Sequence, residues 1–96
     1  MQLHDALESV SDPASFLAFV RLLAGDRADE VRKEAANPSH PYGPGVNGWE
    51  NGTIEAFLAA AISWADSTDF GLSQGLSPDS PWKRFAVFLY SGKIYE

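Results

Sequence analysis

The stretch TIEAFLAAAISWAD, running from Thr53 to Asp66, decides the fold. Ile54, Phe57, Leu58, Ala61, Ile62 and Ala65 recur at three- and four-residue steps, which predicts one apolar helix face with Trp64 at its edge. Thr53 is the predicted N-cap, and Glu55 in the first turn suits the positive end of the helix dipole. The alanines favour helix and let a neighbouring element approach closely. The longest apolar run, Ala56 to Ile62, lies inside this helix and falls far short of the roughly 18 apolar residues of a membrane span.

Toward the C-terminus, residues 67–80 are rich in Ser, Asp, Gly and Pro and read as a loop. Ser80-Pro81 then signals a second helix start, because a proline at the first helical position lacks only an N–H that was unpaired anyway. Trp82, Phe85, Ala86, Leu89 and Tyr90 give it an apolar face, and Gly92 is expected to close it from the C′ position. Ile94 or Tyr95 of the tail is expected to fold back on the core.

Toward the N-terminus, residues 37–52 hold Pro38, Pro41 and Pro44 with Gly43, Gly45, Gly48 and Gly52. This is a loop longer than most in compact domains, where such length points to function or disorder. Trp49 is expected to pin its end to the core. Before it, Asp26 to Ala36 reads as a solvated helix, either separate from or continuous with the one before it, with a narrow stripe of Ala28, Val31 and Ala35 and acid–base pairs Asp29–Lys33 and Glu30–Lys33. Asn37-Pro38 ends it. Phe16, Leu17, Val20, Leu23 and Ala24 define a preceding helix, started by Ser11-Asp12-Pro13 and stopped or kinked at Gly25. Leu3, Ala6, Leu7 and Val10 suggest a short first helix. No segment sustains strand alternation. The expected architecture is therefore all-α: one compact domain over residues 1–96, about four helices and two long loops. A chain of 96 residues and 10.4 kDa can bury roughly 64% of its unfolded surface, enough for one modest core.

Composition removes several function classes. There is no cysteine, so disulfides, thiolate metal sites and thiol catalysis are out. A net charge of −6 argues against nucleic acid as a partner, since phosphate contacts need a basic surface. The N-terminus Met1-Gln2-Leu3-His4-Asp5 lacks a basic and then apolar leader, which predicts a cytoplasmic protein without membrane attachment. Asn51-Gly52-Thr53 matches a glycosylation sequon, read here as chance.

Gly71-Leu72-Ser73-Gln74-Gly75 matches the nucleophile-elbow pattern, but no strand precedes it and no histidine follows Ser73. His4 and His40 lack metal-ligand spacing. Asp66-Ser67-Thr68-Asp69 lacks the ligand spacing of a calcium loop and reads as a helix end with a turn. Trp49, Trp64 and Trp82 read mainly as packing residues, with Trp64 expected half-exposed. No nucleophile, base and orienting group can be named together, so the sequence predicts a protein without catalytic, cofactor or metal sites.

The distribution of charge is more informative than its total. From Glu34 to Trp82 there is no Lys or Arg, and residues 1–36, 37–81 and 82–96 carry −3, −5 and +2. Solubility is the plainer reading. The functional reading is an acidic surface formed by Glu50, Glu55, Asp66, Asp69 and Asp79 beside Trp64, which would steer a basic protein partner.

Trp49-Glu50-Asn51, Thr53-Ile54-Glu55 with Phe57-Leu58, Trp82 with Phe85-Ala86 and Leu89, and the ending Lys93-Ile94-Tyr95-Glu96 resemble a family of small, mostly bacterial proteins. That family is catalogued as domain of unknown function 7660. The resemblance implies no activity and no catalytic residues. Size and acidity add an analogy to toxin-neutralising immunity proteins. The sequence thus predicts an acidic protein-binding module that neutralises or regulates a basic partner. The alternative is a homo-oligomer or small-ligand carrier using aromatic surface around Trp64 and Phe70.

Overall fold

Pro13 to Ala36 forms one unbroken helix of 24 residues, the longest of four. In the computed structural model, which describes residues 2–39, 41 and 43–95, the helices are α1 (Leu3–Glu8), α2 (Pro13–Ala36), α3 (Ile54–Thr68) and α4 (Pro81–Ile94). Among the described residues there is no strand, and one 3-10 turn, Leu72–Gln74, breaks the second loop. The all-α bundle expected from the sequence is what forms.

The local start signals act as read. The Asp12 carboxylate accepts the Ser15 N–H at 2.8 Å, and the Ser15 hydroxyl oxygen accepts the Asp12 N–H at 3.1 Å, so both ends of a capping box are made. Thr53 Oγ1 accepts the Ala56 N–H at 3.1 Å and caps α3. Pro81 opens α4, although the Ser80 side chain makes no cap bond.

Two glycines behave differently from expectation. Gly25 does not stop α2: it sits mid-helix, nothing crowds it, and its cost of about 1 kcal/mol is absorbed by a long helix packed on both neighbours. Gly92 is not a C′ residue either, because α4 continues to Ile94. It is buried against α3, where a Cβ would meet the Phe57 ring at 2.7–2.8 Å. Its missing side chain lets the two helices meet. Ala60, Ala61 and Ala86, all buried, serve the same close approach.

Helix α4 is the centre of the bundle and packs on all three others. Lys83 Nζ donates to the carbonyls of Leu7 and Glu8, tying the end of α1 to it. Arg84 Nε donates to Phe70 O at 3.0 Å and its guanidinium covers the Phe70 ring at 5.0 Å. That contact holds Asp69 and Phe70 in the left-handed region, at φ 51° and 52°, where the chain leaves α3. The core gathers Ala6, Leu7, Val10, Phe19, Leu23, Trp49 and Ala86.

Helix α3, by contrast, packs on α4 alone among the helices and does not reach α2. The exposed surface is 5874 Å², against about 5,400 Å² for a compact chain of this mass. The space left between α2 and α3 is where the site lies.

Candidate functional site

The long first loop is a strap held down by carboxylates of α2. Glu30 is 1% exposed and accepts three bonds: Arg27 Nη1 at 2.6 Å, Asn47 N at 3.0 Å and Trp49 N at 3.3 Å. One turn before it, Asp26 Oδ2 accepts the Trp49 indole N–H at 2.8 Å and Lys93 Nζ at 2.7 Å. One turn after it, Glu34 accepts Ser39 N, Ser39 Oγ and Val46 N at 2.7, 2.5 and 2.8 Å. Asp29 accepts Asn47 Nδ2 at 3.0 Å. The helix expected over 26–36 is solvated on one side, where Ala28, Val31 and Ala35 of the narrow stripe are exposed, but its other side is covered by the strap, a cover that local spacing does not show. Asp29–Lys33 does pair as read, at 2.8 Å, but Glu30 bonds Arg27 rather than Lys33.

The residues that carry the family resemblance meet here. Trp49 is 7% exposed, with Arg27 and Lys93 each 5.6 Å from its ring centroid and Phe57 stacked at 6.0 Å. Asn51 Nδ2 donates to Gly92 O and Tyr95 O at 3.0 and 2.9 Å, which satisfies carbonyls at the end of α4. The Asn51 amide of the sequon is thus engaged inward. Glu50 N donates to Lys93 O at 2.9 Å. Among the described residues no buried side-chain nitrogen or oxygen lacks a partner. His40 and Glu96 lie outside the described residues.

The bonds to Glu34 and Asp29 favour their charged forms. The Ser39 hydroxyl, then the Ser39 backbone N–H, hold Glu34 below its ordinary value. Lys33 and then Asn47 do the same for Asp29. A depressed folded value gives stability that is present above the ordinary carboxylate range near pH 4. It is lost as pH falls through the depressed folded value. The urea midpoint should therefore drop from pH 5 toward pH 2–3, and Glu34→Gln should flatten that drop while lowering the midpoint at pH 7. An unchanged acid limb in Glu34→Gln would show that Glu34 does not hold the strap.

The strap closes one end of an apolar groove of about 460 Å³. Val20, Ala24 and Arg27 of α2 form one wall, and Ile54, Phe57 and Leu58 of α3 the other. Trp49 and Leu89 lie between, and Asn51, Gly52 and Thr53 form the closed end. Arg27 Nη2 donates to Gly52 O at 3.0 Å, so its charge is spent on the strap and on Glu30.

The α3 face read as core is only partly covered. Ile54, Leu58 and Ile62, at i, i+4 and i+8, are 78%, 46% and 51% exposed. Sequence held a signal for this: the apolar arc from Trp64 round to Ile62 spans about 160° at 100° per residue, wider than one helix neighbour covers. Trp64, expected half-exposed, is 3% exposed and donates its indole N–H to Gln74 Oε1 at 2.9 Å. Phe70 is stacked on Phe88 at 5.4 Å. Neither offers an open aromatic surface.

Of the acidic residues singled out from sequence, Glu55 and Asp66 share one exposed edge of α3, about 16 Å apart along it, beside the Ile54–Leu58–Ile62 stripe. Glu50 is exposed on the strap, Asp69 caps the end of α3, and Asp79 lies in the turn before α4. These three stand on separate elements. Ser73 Oγ donates to Thr68 O at 2.9 Å within a glycine-flanked 3-10 turn, so the elbow pattern is a loop, as read. Thr68 Oγ1 accepts the Gly71 N–H at 2.9 Å, which makes the 66–69 segment a helix end and turn.

Among the described residues no three His, Asp or Glu side chains are grouped to hold a metal ion, and no helix is long and apolar enough to cross a membrane. No curated protein and no solved structure matches the chain. A model described as a family of unknown function, DUF7660, matches residues 13–96.

Proposed function

The chain belongs to the DUF7660 family, and we propose that it is a small acidic protein-binding module that docks a basic partner protein over the groove between α2 and α3. The observation that carries this reading is the outward stripe of Ile54, Leu58 and Ile62 on α3, of which Ile54 and Leu58 line the groove. Three large aliphatic side chains in a row, beside an open apolar trough, form the kind of patch that marks an interaction surface. Glu55 and Asp66 run along the stripe's outer edge and make no hydrogen bond or ion pair among the described residues. They give the rim its negative sign, and the chain's net charge of −6 adds long-range attraction for a cationic protein. Docking would neutralise or regulate that protein. An immunity-like action is one specific form, supported by size and acidity alone.

Leu58→Glu puts a charge at the middle of the stripe, on a side chain already 46% exposed, so the fold should survive. Immobilised wild-type protein should retain a partner at low salt and release it at high salt. Leu58→Glu should reduce retention at least about tenfold, the effect of losing one central anchor, with an unchanged circular dichroism spectrum. Equal retention by Leu58→Glu would sink the groove as the docking surface.

A further inference from the structure

We infer that the element docked in this groove is a basic amphipathic α-helix of about three turns. The inference rests on the docking reading above and names the partner's form. Its first support is the pattern on α2. Leu17, Val20, Ala24 and Arg27 follow alternating three- and four-residue steps, which is the spacing of one seam of a coiled coil. Leu17 is 48% exposed and Ala24 is exposed, so the seam has no helix against it in the described chain. From Leu17 to Arg27, where the strap closes the groove, it runs about 15 Å, the length of about 10 helical residues. On the opposite wall, Ile54, Leu58 and Ile62 offer the i, i+4 ridge that a helix packs into.

The second support is the groove's lack of polar partners. Its walls are side chains of two helices whose backbones are already bonded internally. At its closed end Asn51 Nδ2 is bonded to Gly92 and Tyr95, and Arg27 to Glu30 and Gly52. An extended segment laid there would bury backbone N–H and C=O groups with nothing to bond, at a cost of roughly 1–3 kcal/mol each. A helix brings its backbone bonds with it.

The third support is charge. Glu55 and Asp66 flank the α3 ridge, and Arg27, the cation in the groove wall, is neutralised by Glu30 at 2.6 Å. A partner helix therefore meets acid along one edge, and the cation that lines the opposite wall is already paired. A second copy of this chain does not supply such a helix. Its positive segment, residues 82–96, is spent internally: Lys83 on α1, Arg84 on Phe70 and Lys93 on Asp26. Two copies meeting at this groove would also set acid rim against acid rim.

The test uses the full chain and four designed peptides of about 10 residues with leucines at three- and four-residue steps. The remaining positions are lysine, glutamine or glutamate, and the fourth peptide is the lysine one with two central prolines. Binding is read by fluorescence anisotropy of the labelled peptides, and its place by methyl shifts of Leu17, Val20, Ile54, Leu58 and Ile62. The lysine helix should bind and shift these methyls. The glutamine helix and the proline-broken peptide should each bind at least about tenfold more weakly, a difference of about 1.4 kcal/mol. The glutamate helix should not bind. Glu55→Lys with Asp66→Lys should erase the lysine preference.

If the proline-broken peptide binds as tightly as the intact one, the helical form is wrong and the docking reading stands. If glutamine or glutamate helices equal lysine, the basic character is wrong. If no peptide shifts the groove methyls while natural-partner retention still depends on Leu58, the inference fails alone. If neither responds, the docking reading fails with it. Concentration-dependent dimerisation that perturbs the same methyls without peptide would assign the groove to a second copy and overturn the inference.

Discussion

Glu30→Ala should destabilise the protein by about 3–5 kcal/mol, a large part of the roughly 5–15 kcal/mol that holds a domain of this size. The reason is what the substitution leaves behind. Glu30 is 1% exposed and closes three bonds, two of them from the backbone N–H groups of Asn47 and Trp49. Arg27, at 36% side-chain exposure, can turn its freed guanidinium toward water. The Trp49 N–H cannot, because Trp49 is in the core. Gly45 packs directly on the carboxylate, since a Cβ there would lie 2.1 Å from Glu30 Oε1, so removing the carboxylate empties the space beneath the strap. The alanine variant therefore leaves a small void and unpaired strap amides at once. Glu30→Gln separates the two effects. It keeps an oxygen for the strap but turns an NH₂ toward a donor, and should cost about half as much. Urea unfolding followed by circular dichroism gives the loss. Hydrogen exchange at Asn47 and Trp49 should accelerate more than at α1. A loss below about 1 kcal/mol would mean that the strap is held by packing and that the carboxylate is incidental.

The same residue shows why parts of this protein were legible in sequence and parts were not. Signals that act over three or four residues were readable: Asp12 with Ser15, Thr53 with Ala56, Pro81 at the start of α4. So was the sharing of one helix edge by Glu55 and Asp66, which follows from helical pitch alone. Glu30 was not readable, because its strap donors lie 17 and 19 residues away in a proline- and glycine-rich segment without periodicity. Within α2 its local neighbours, Arg27, Lys33 and Glu34, imitate a solvated surface. Gly25 and Gly92 were misread for the complementary reason. Glycine is a stop signal only when the backbone must turn, and at Gly92 the requirement is close approach of Phe57 from another helix. The groove was hidden in the same way. Periodicity identified Ile54, Leu58 and Ile62 as one face, but whether a neighbour covers a face is decided by tertiary packing. Here α3 leans on α4 and leaves α2 apart.

Lys93→Ala should lower stability by about 3 kcal/mol and should also loosen the groove from beneath. Lys93 is 7% exposed, and its ammonium sits 2.7 Å from Asp26 Oδ2 and 5.6 Å from the Trp49 ring centroid. The same Asp26 oxygen accepts the Trp49 indole N–H. Lysine, carboxylate and indole thus form one unit that joins α4, α2 and the strap. The cost should fall at the low end for a buried pair, because the Asp26 side chain is 24% exposed and keeps some contact with water. Lys93→Met retains most of the aliphatic stem and removes only the charge, so it should cost about 1–2 kcal/mol. Combining it with Asp26→Asn should recover part of that, since no unpaired carboxylate then remains; the double-variant cycle should show a coupling of about 1 kcal/mol or more. Strictly additive losses would mean that Lys93 acts through its stem alone. The cycle also bears on binding, because Trp49 lies between the groove walls and its position depends on this unit. Lys93→Met should leave Glu55, Asp66 and the α3 stripe in place yet weaken docking of a partner helix several-fold, whereas an equally destabilising change at the α1–α4 contact should not. A groove that binds equally well after Lys93→Met would show that its shape is set by α2, α3 and α4 without the strap.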